Sequence, residues 1–388
     1  MRAILAARKA LFILPLLAVP FPAMALPEDN LRSYVEYLTF HDSNYFRLAN
    51  DEQARTLLGT TDTAVTGRRI GVGVDADWKL SRQTLALRTN LNQTSYDRRE
   101  LQKQSSGSLL ARWNWVLGNN LTGELSSRKT RELLSQADLN NLGTNTQDTQ
   151  NTAFNARYRI HPSFSLSGGV GRYAVSFSNP ARANLDHDDK IASLGWLFQS
   201  SLGSQFGMDY RRTDGQYSNR TATDDDFEQT ELNLQGGWSP GGLSRISGQA
   251  GYTRRIEGPV VLDKPTWRLS ADWNAGGKVS LSAAVQRQVQ TSDTVTTSTA
   301  SISDRADLNA TWALTPKMAL TASIWEGSQK YPDISRTDRL KTGSVRLNYQ
   351  PDRSILFGLT YEAGQRDSSN DVADFRYQSV TASLRAAF

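Results

Sequence analysis

Arg69-Ile70-Gly71-Val72-Gly73-Val74-Asp75-Ala76-Asp77-Trp78 alternates polar or glycine positions with apolar ones, without a break. Side chains of an extended strand point in turn to opposite faces, so Ile70, Val72, Val74, Ala76 and Trp78 share one side and the charges share the other. The same period of two recurs at 85–92, 267–273 and 380–388, whereas amphipathic helical spacing is scarce. Marking every such run gives eighteen candidate strands.

The connections between these strands alternate in length. Eight are turn-like, at 79–82, 117–120, 161–163, 200–203, 239–242, 275–277, 314–317 and 350–353. The others are longer and rich in Asn, Asp, Thr and Ser, for example 42–65, 132–148, 178–187, 215–226 and 290–299. This predicts an all-β fold: a transmembrane antiparallel up-and-down β-barrel of about 18 strands, with short periplasmic turns and longer extracellular loops. Every second strand closes on an aromatic that the alternation places outward: Trp78, Trp115, Tyr158, Trp196, Trp238, Trp273, Trp312, Tyr349 and Phe388. Such a girdle is expected at one membrane interface, where an aromatic body rests in lipid and its polar edge among headgroups. A soluble propeller has a similar period, but its blades need four short strands where this sequence has two long ones. Near Arg172 and Trp325 a bulge would reverse the inward and outward assignment.

Composition agrees with a barrel and excludes other classes. The chain has 388 residues, 38% of them hydrophobic, no cysteine and a mean hydropathy of −0.51. No internal run is long enough for a helical span, and no thiol is present for disulfides, zinc or lipid attachment. Residues 1–25 read as a signal peptide: a basic start at Arg2, Arg8 and Lys9, an apolar run over 10–19 and the cleavage site Ala23-Met24-Ala25. The expected mature barrel covers 26–388, in the outer membrane of a Gram-negative bacterium. Those three bases are the only charges before Leu26, so net charge falls from +5 to +2 on cleavage, which is no argument for nucleic acid.

Eighteen strands leave room for a wet lumen. The residues expected to line it, and to contact solute, are Arg69, Asp75, Arg88, Arg112, Glu124, Arg157, Asp209, Arg245, Arg268, Asp272, Arg346, Glu362 and Arg385. So many charges are too costly to bury dry. A channel lined this way suits a hydrated, hydroxyl-rich or anionic solute. The three histidines are His41, His161 and His187. Asp186-His187 can be drawn as a catalytic dyad, yet no nucleophile motif accompanies it, so an acidic, solvated loop tip is expected and no enzyme. Asp224-Asp225-Asp226 cannot all aim at one cation, and Asp42-Ser43-Asn44 lacks the glycine and distal glutamate of a calcium loop, so neither metal nor cofactor is expected.

Two segments carry a family resemblance: Asp42-x-Asn44-x-Phe46-Arg47 after the first strand, and Asp209-Tyr-Arg211-Arg212-Thr-Asp-Gly215-Gln-Tyr217-Ser-Asn219-Arg220. With the overall length, they resemble the EpsL-type outer-membrane proteins of exopolysaccharide clusters, often linked to PEP-CTERM/exosortase systems and biofilm. The resemblance implies a barrel of the porin superfamily that takes part in exopolysaccharide export, with no catalytic residues. It implies as partners a polysaccharide or oligosaccharide and separate periplasmic polysaccharide-export proteins. Outer-membrane lipids, lipopolysaccharide and the barrel assembly machinery complete the expected partners, the last reading the terminal Phe388. A general or oligosaccharide-selective diffusion porin is the alternative, and a structural barrel plugged by loops 42–65 and 132–148 is a third.

Overall fold

The computed structural model describes residues 30–98, 101–139, 143–220, 226–239, 243–292 and 300–388. The leader expected at 1–25, with its cleavage after Ala25, lies outside the described residues. Eighteen strands follow one another. They are β1 (Leu31–Asp42), β2 (Val65–Leu80), β3 (Gln83–Tyr96), β4 (Gln104–Leu117), β5 (Leu121–Leu133) and β6 (Thr146–His161). Next come β7 (Phe164–Phe177), β8 (His187–Gln199), β9 (Gln205–Tyr217), β10 (Phe227–Trp238), β11 (Ser244–Glu257) and β12 (Val260–Ala275). The last are β13 (Val279–Thr291), β14 (Ala300–Thr315), β15 (Met318–Tyr331), β16 (Arg336–Tyr349), β17 (Ile355–Ser368) and β18 (Phe375–Ala387). Each pairs antiparallel with the next, and β18 returns to β1 from Tyr34↔Ala387 to Asp42↔Ser379, so the sheet closes. At the seam Ser33 and Phe388 exchange both backbone hydrogen bonds, at 3.0 and 2.9 Å.

The alternation sorts the wall into two faces. Outward residues such as Ile70, Leu91, Val170 and Leu194 are 61–66% exposed around the middle of their strands. A water-soluble protein does not leave so continuous an apolar belt bare, so lipid covers it. The strands are 12–16 residues long, more than the 9–11 or so that a bilayer requires, and the excess turns polar on the same face. There the outward pairs Arg131–Asp148, Arg172–Asp188, Arg254–Asp263 and Arg287–Asp304 sit above the belt. The girdle is present with one difference. Trp115 faces outward but is only 7% exposed, because it lies over its cross-strand partner Gly123 and stacks on Phe154 at 5.8 Å. Aromatic over glycine is a recurrent device: Phe40 covers Gly67, Tyr34 covers Gly73, Phe227 covers Gly215 and Tyr377 covers Gly364, each directly opposite. The ring supplies the contact that the glycine lacks.

Two expectations are corrected. The extracellular connections are not all long, for β11 and β12 are joined by Gly258 and Pro259 alone. Gly258 adopts φ 52°, a left-handed geometry that lets two residues reverse the chain. Only four residues, 332–335, join β15 to β16. Nor does the phase flip at Arg172 or Trp325: register shifts instead at Arg159/His161 and Ala313/Thr315, both beside periplasmic turns.

Two of the long loops are held by specific contacts among their described residues. After β1, the Asp42 carboxylate takes two hydrogen bonds from Arg47 at 2.8 Å and one from the Asn44 backbone N–H at 2.9 Å. The Arg47 guanidinium lies 3.6 Å over Tyr377, and Phe46 is buried against Val65 and Leu101. Burial raises the Tyr45 hydroxyl well above its ordinary range, and it donates to the Tyr96 hydroxyl at 3.0 Å. The loop continues into a short helix, α1 (Asp51–Leu58), whose N-terminus is capped by the Asn50 side chain accepting from the Gln53 N–H at 3.0 Å.

The loop between β5 and β6 does something different. Its Asp138, at φ 63°, accepts from Arg336 of β16 at 3.0 Å and from Arg366 of β17 at 2.6 and 3.0 Å. Those arginines are inward and nearly buried, beside Asp338, at least six strands away by either route around the barrel. The loop therefore straps across the extracellular mouth. Arg182, in the loop before β8, steadies it by donating to the Ala137 carbonyl at 3.0 Å.

Two measurements check this architecture. Leu194→Arg is expected to cost about 2–4 kcal/mol of unfolding free energy in lipid vesicles, the depth-dependent penalty for a cation on the lipid face. An unchanged stability would mean that this face is not in lipid. Asp138→Ala leaves two buried guanidiniums sharing Asp338, a loss of about 3–5 kcal/mol at the clamp. The strap is then expected to detach and single-channel conductance in planar bilayers to rise, whereas an unaltered conductance would show that the strap does not restrict the mouth.

Candidate functional site

All thirteen residues expected at the lumen face inward, on the side opposite the exposed apolar residues of their strands. The closed sheet brings some of them together. Arg385 of β18 stacks 3.5 Å over Tyr34 of β1 and reaches Asp75 of β2 at 3.6 Å. Asp75 in turn lies 3.7 Å from Arg88 of β3, which also pairs with Asp77. Arg112 meets Glu124 at 3.3 Å, and Arg69 meets Glu36 at 2.9 Å. Arg385, Asp75 and Arg88, on strands remote in sequence, thus share one inner network across the barrel's seam, while Arg69–Glu36 and Arg112–Glu124 are separate pairs near it.

The remaining seven stay apart from that network. Asp209 accepts from Asn233 at 3.2 Å, Glu362 from the Tyr377 hydroxyl at 2.8 Å, and Arg346 donates to Thr360 at 3.1 Å. Arg268 is bonded to Gln286. Among the described residues no carboxylate lies within ion-pair distance of Arg157, Arg245, Arg268 or Arg346, and no base within that distance of Asp272. Their charges therefore face the lumen's water.

Sequence reasoning missed a second cluster at the extracellular end. Arg255 is 1% exposed, paired with Glu257 at 2.9 Å, bonded to the Tyr217 hydroxyl at 3.3 Å and Thr291 at 3.1 Å, and stacked 3.5 Å from Phe227. Arg220 pairs with Glu257 at 3.1 Å and lies 3.4 Å over Tyr217. A signal was present: Arg255-x-Glu257, Arg305-x-Asp307 and Arg336-x-Asp338 each put opposite charges two residues apart, on one face of a strand.

The loop motifs resolve differently from expectation in part. His187 is not a solvated loop tip: it is 4% exposed, with Nδ1 2.7 Å from the Leu185 carbonyl, because the strand begins at His187 and turns it inward. Its nearer acid is Asp189, at 3.9 Å, rather than Asp186. Asp186 accepts from the Phe177 backbone N–H and from Asn219, and burial raises its carboxyl above the usual range. His41 lies 3.1 Å from Thr66 on the outer side, and His161 caps its periplasmic turn by accepting from the Ser163 N–H. The Asp42 carboxylate is consumed by Arg47, a structural lock. Asp226 accepts from the Tyr217 N–H, while Asp224 and Asp225 lie outside the described residues.

Comparison with known proteins agrees with this architecture. The family model described as "Putative beta-barrel porin 2" matches residues 245–388. No curated protein matches the sequence. Solved structures similar in fold include OpdK of Pseudomonas aeruginosa, determined with vanillate, at a TM-score of 0.51 and 11% identity over 92% of this chain and 99% of that one. OccK2 (OpdF) of the same organism gives 0.51 and 10% over 92% and 98%. A BenF-like porin from Pseudomonas fluorescens Pf-5 gives 0.50 and 10% over 93% and 99%. At these identities the likeness is one of fold: this chain is a closed 18-stranded antiparallel β-barrel of the architecture seen in outer-membrane porins.

Proposed function

We propose that the barrel is a non-enzymatic channel through which small hydrophilic solutes diffuse across the outer membrane, with a preference for anions. The observation that carries this reading is the set of lumen-facing guanidiniums Arg157, Arg268 and Arg346, which have no carboxylate within ion-pair distance among the described residues, with Arg245 beside them opposite Asp272 in the β11–β12 ladder. Fixed positive charge in a water-filled passage concentrates anions, and guanidinium is weakly hydrated and geometrically matched to carboxylate and phosphate. OpdK, whose structure was determined with the carboxylate vanillate, is a neighbour of the same fold.

The strap anchored by Asp138 favours small solutes over a bulky polymer, because it divides the mouth. The resemblance to exopolysaccharide-cluster proteins implies the other role, export of polymer with separate periplasmic partners, and the two make different predictions. Replacing Arg245, Arg268 and Arg346 together by Glu is expected to lower the chloride-over-potassium permeability ratio in planar bilayers several-fold. No change in selectivity would remove these arginines from the path. Deleting the gene is expected to slow uptake of small anions and leave secreted polysaccharide unchanged, whereas a loss of surface and released polymer would replace the diffusion reading with export.

A further inference from the structure

A cavity of about 320 Å³ opens on the lumen wall near the extracellular end, lined among others by Tyr173, Asp189, Arg211, Phe227, Glu231 and Arg255. Two carboxylates and two guanidiniums line it, so their charges cancel. Two of the four are already engaged. Arg255 is held by Glu257 and Phe227, and Glu231 accepts from Gln229 at 2.7 Å.

The other two form no hydrogen-bonded ion pair, and His187, Arg255 and Arg211 act on Asp189 only through space. Asp189 is 6% exposed, yet its Oδ1 has no hydrogen-bond partner, and the nearest basic nitrogen, Nε2 of His187, is 3.9 Å from Oδ2. Arg211 has no carboxylate within ion-pair distance among the described residues. Both face inward from neighbouring strands. In the β8–β9 ladder Asp189 stands opposite Gly215 and Arg211 opposite Ser193. Their backbones are about 14 Å apart along the strand, a gap that the long arginine side chain shortens. Glycine at 215 is required here, for a Cβ would lie 2.7 Å from Asp189 Oδ1 and 2.2 Å from the Phe227 ring. The segment from Asp209 to Arg220 thus supplies a charged end, Arg211, and the niche for the other.

A buried carboxylate oxygen without a donor is costly, and an ammonium N–H removes that cost more fully than a neutral hydroxyl. An exposed guanidinium is a ready receptor for a carboxylate. We propose that this cavity is a binding subsite for a small zwitterionic solute of amino-acid or dipeptide size, its ammonium on Asp189 and its carboxylate on Arg211. The subsite rests on the channel reading, since the solute must reach it through the lumen.

The test uses the full chain refolded into planar bilayers, with glycylglycine, N-acetylglycylglycine, glycylglycine amide and glucose as blockers of ion current. Glycylglycine is expected to block at concentrations at least tenfold lower than the other three. Asp189→Asn should abolish its advantage over the N-acetyl form, and Arg211→Gln its advantage over the amide. Equal block by all three peptides in the unsubstituted protein overturns the proposal, as does stronger block by glucose, which would mark a polyol site. These comparisons need no variant to fold. If the barrel passes no current, the channel reading fails by itself. Calorimetric titration of glycylglycine into the detergent-refolded chain then still decides the subsite: binding at least tenfold tighter than the N-acetyl form supports it, and equal or absent binding overturns it.

Discussion

The closure of β18 onto β1 is the constraint from which the rest of the structure follows. Lipid offers no hydrogen bonds, so an open sheet edge in the hydrocarbon would leave a row of N–H and C=O groups unsatisfied at several kcal/mol each. Here nine consecutive register pairs, from Tyr34↔Ala387 to Asp42↔Ser379, remove that edge, and the Ser33–Phe388 exchange extends the seam to the last residue. Once the sheet is closed, strand alternation does the sorting, because every residue that does not face lipid must face the lumen. No conventional core is needed. The buried hydrophobic clusters described here, such as Phe46, Val65 and Leu101, are small and lie under the extracellular loops.

Inside, two regimes of electrostatics coexist. Along the seam, Arg385, Asp75, Arg88 and Asp77 pair across strands in a solvated setting where each contact is weak and screened. At the extracellular end the same residue types are buried. Arg255 with Glu257, and Asp138 with Arg336 and Arg366, lose water and depend on their partners. In that regime removing one member is far more disruptive than at an exposed pair. The shape of the mouth therefore hangs on a few ion pairs, while the lumen below carries charge that remains available to solute.

Much of this was legible in one dimension. Period-two alternation located eighteen strands, the short turns oriented them, and parity alone put all thirteen expected lumen residues on the inner face. Those inferences work because a strand's faces are set by local geometry. The same locality explains the misses. His187 read as a solvated tip because nothing in Asp186-His187-Asp188-Asp189 reveals that the strand begins there and that Tyr173 and Tyr217 flank the ring. The Asp42–Arg47 segment carried a family resemblance in the sequence, and only the fold shows that its carboxylate and guanidinium lock a loop.

By itself, then, the sequence determined the fold class, the approximate number of strands, the lipid-facing belt and the polarity of the lumen, each a consequence of side-chain alternation along a chain. Only the tertiary structure decided which charges meet. Asp138 and Arg366 are 228 positions apart, and Asp189 and Arg211 belong to different strands. Whether such groups pair, stay open or bridge the mouth depends on barrel closure, shear and loop path, which no local pattern encodes.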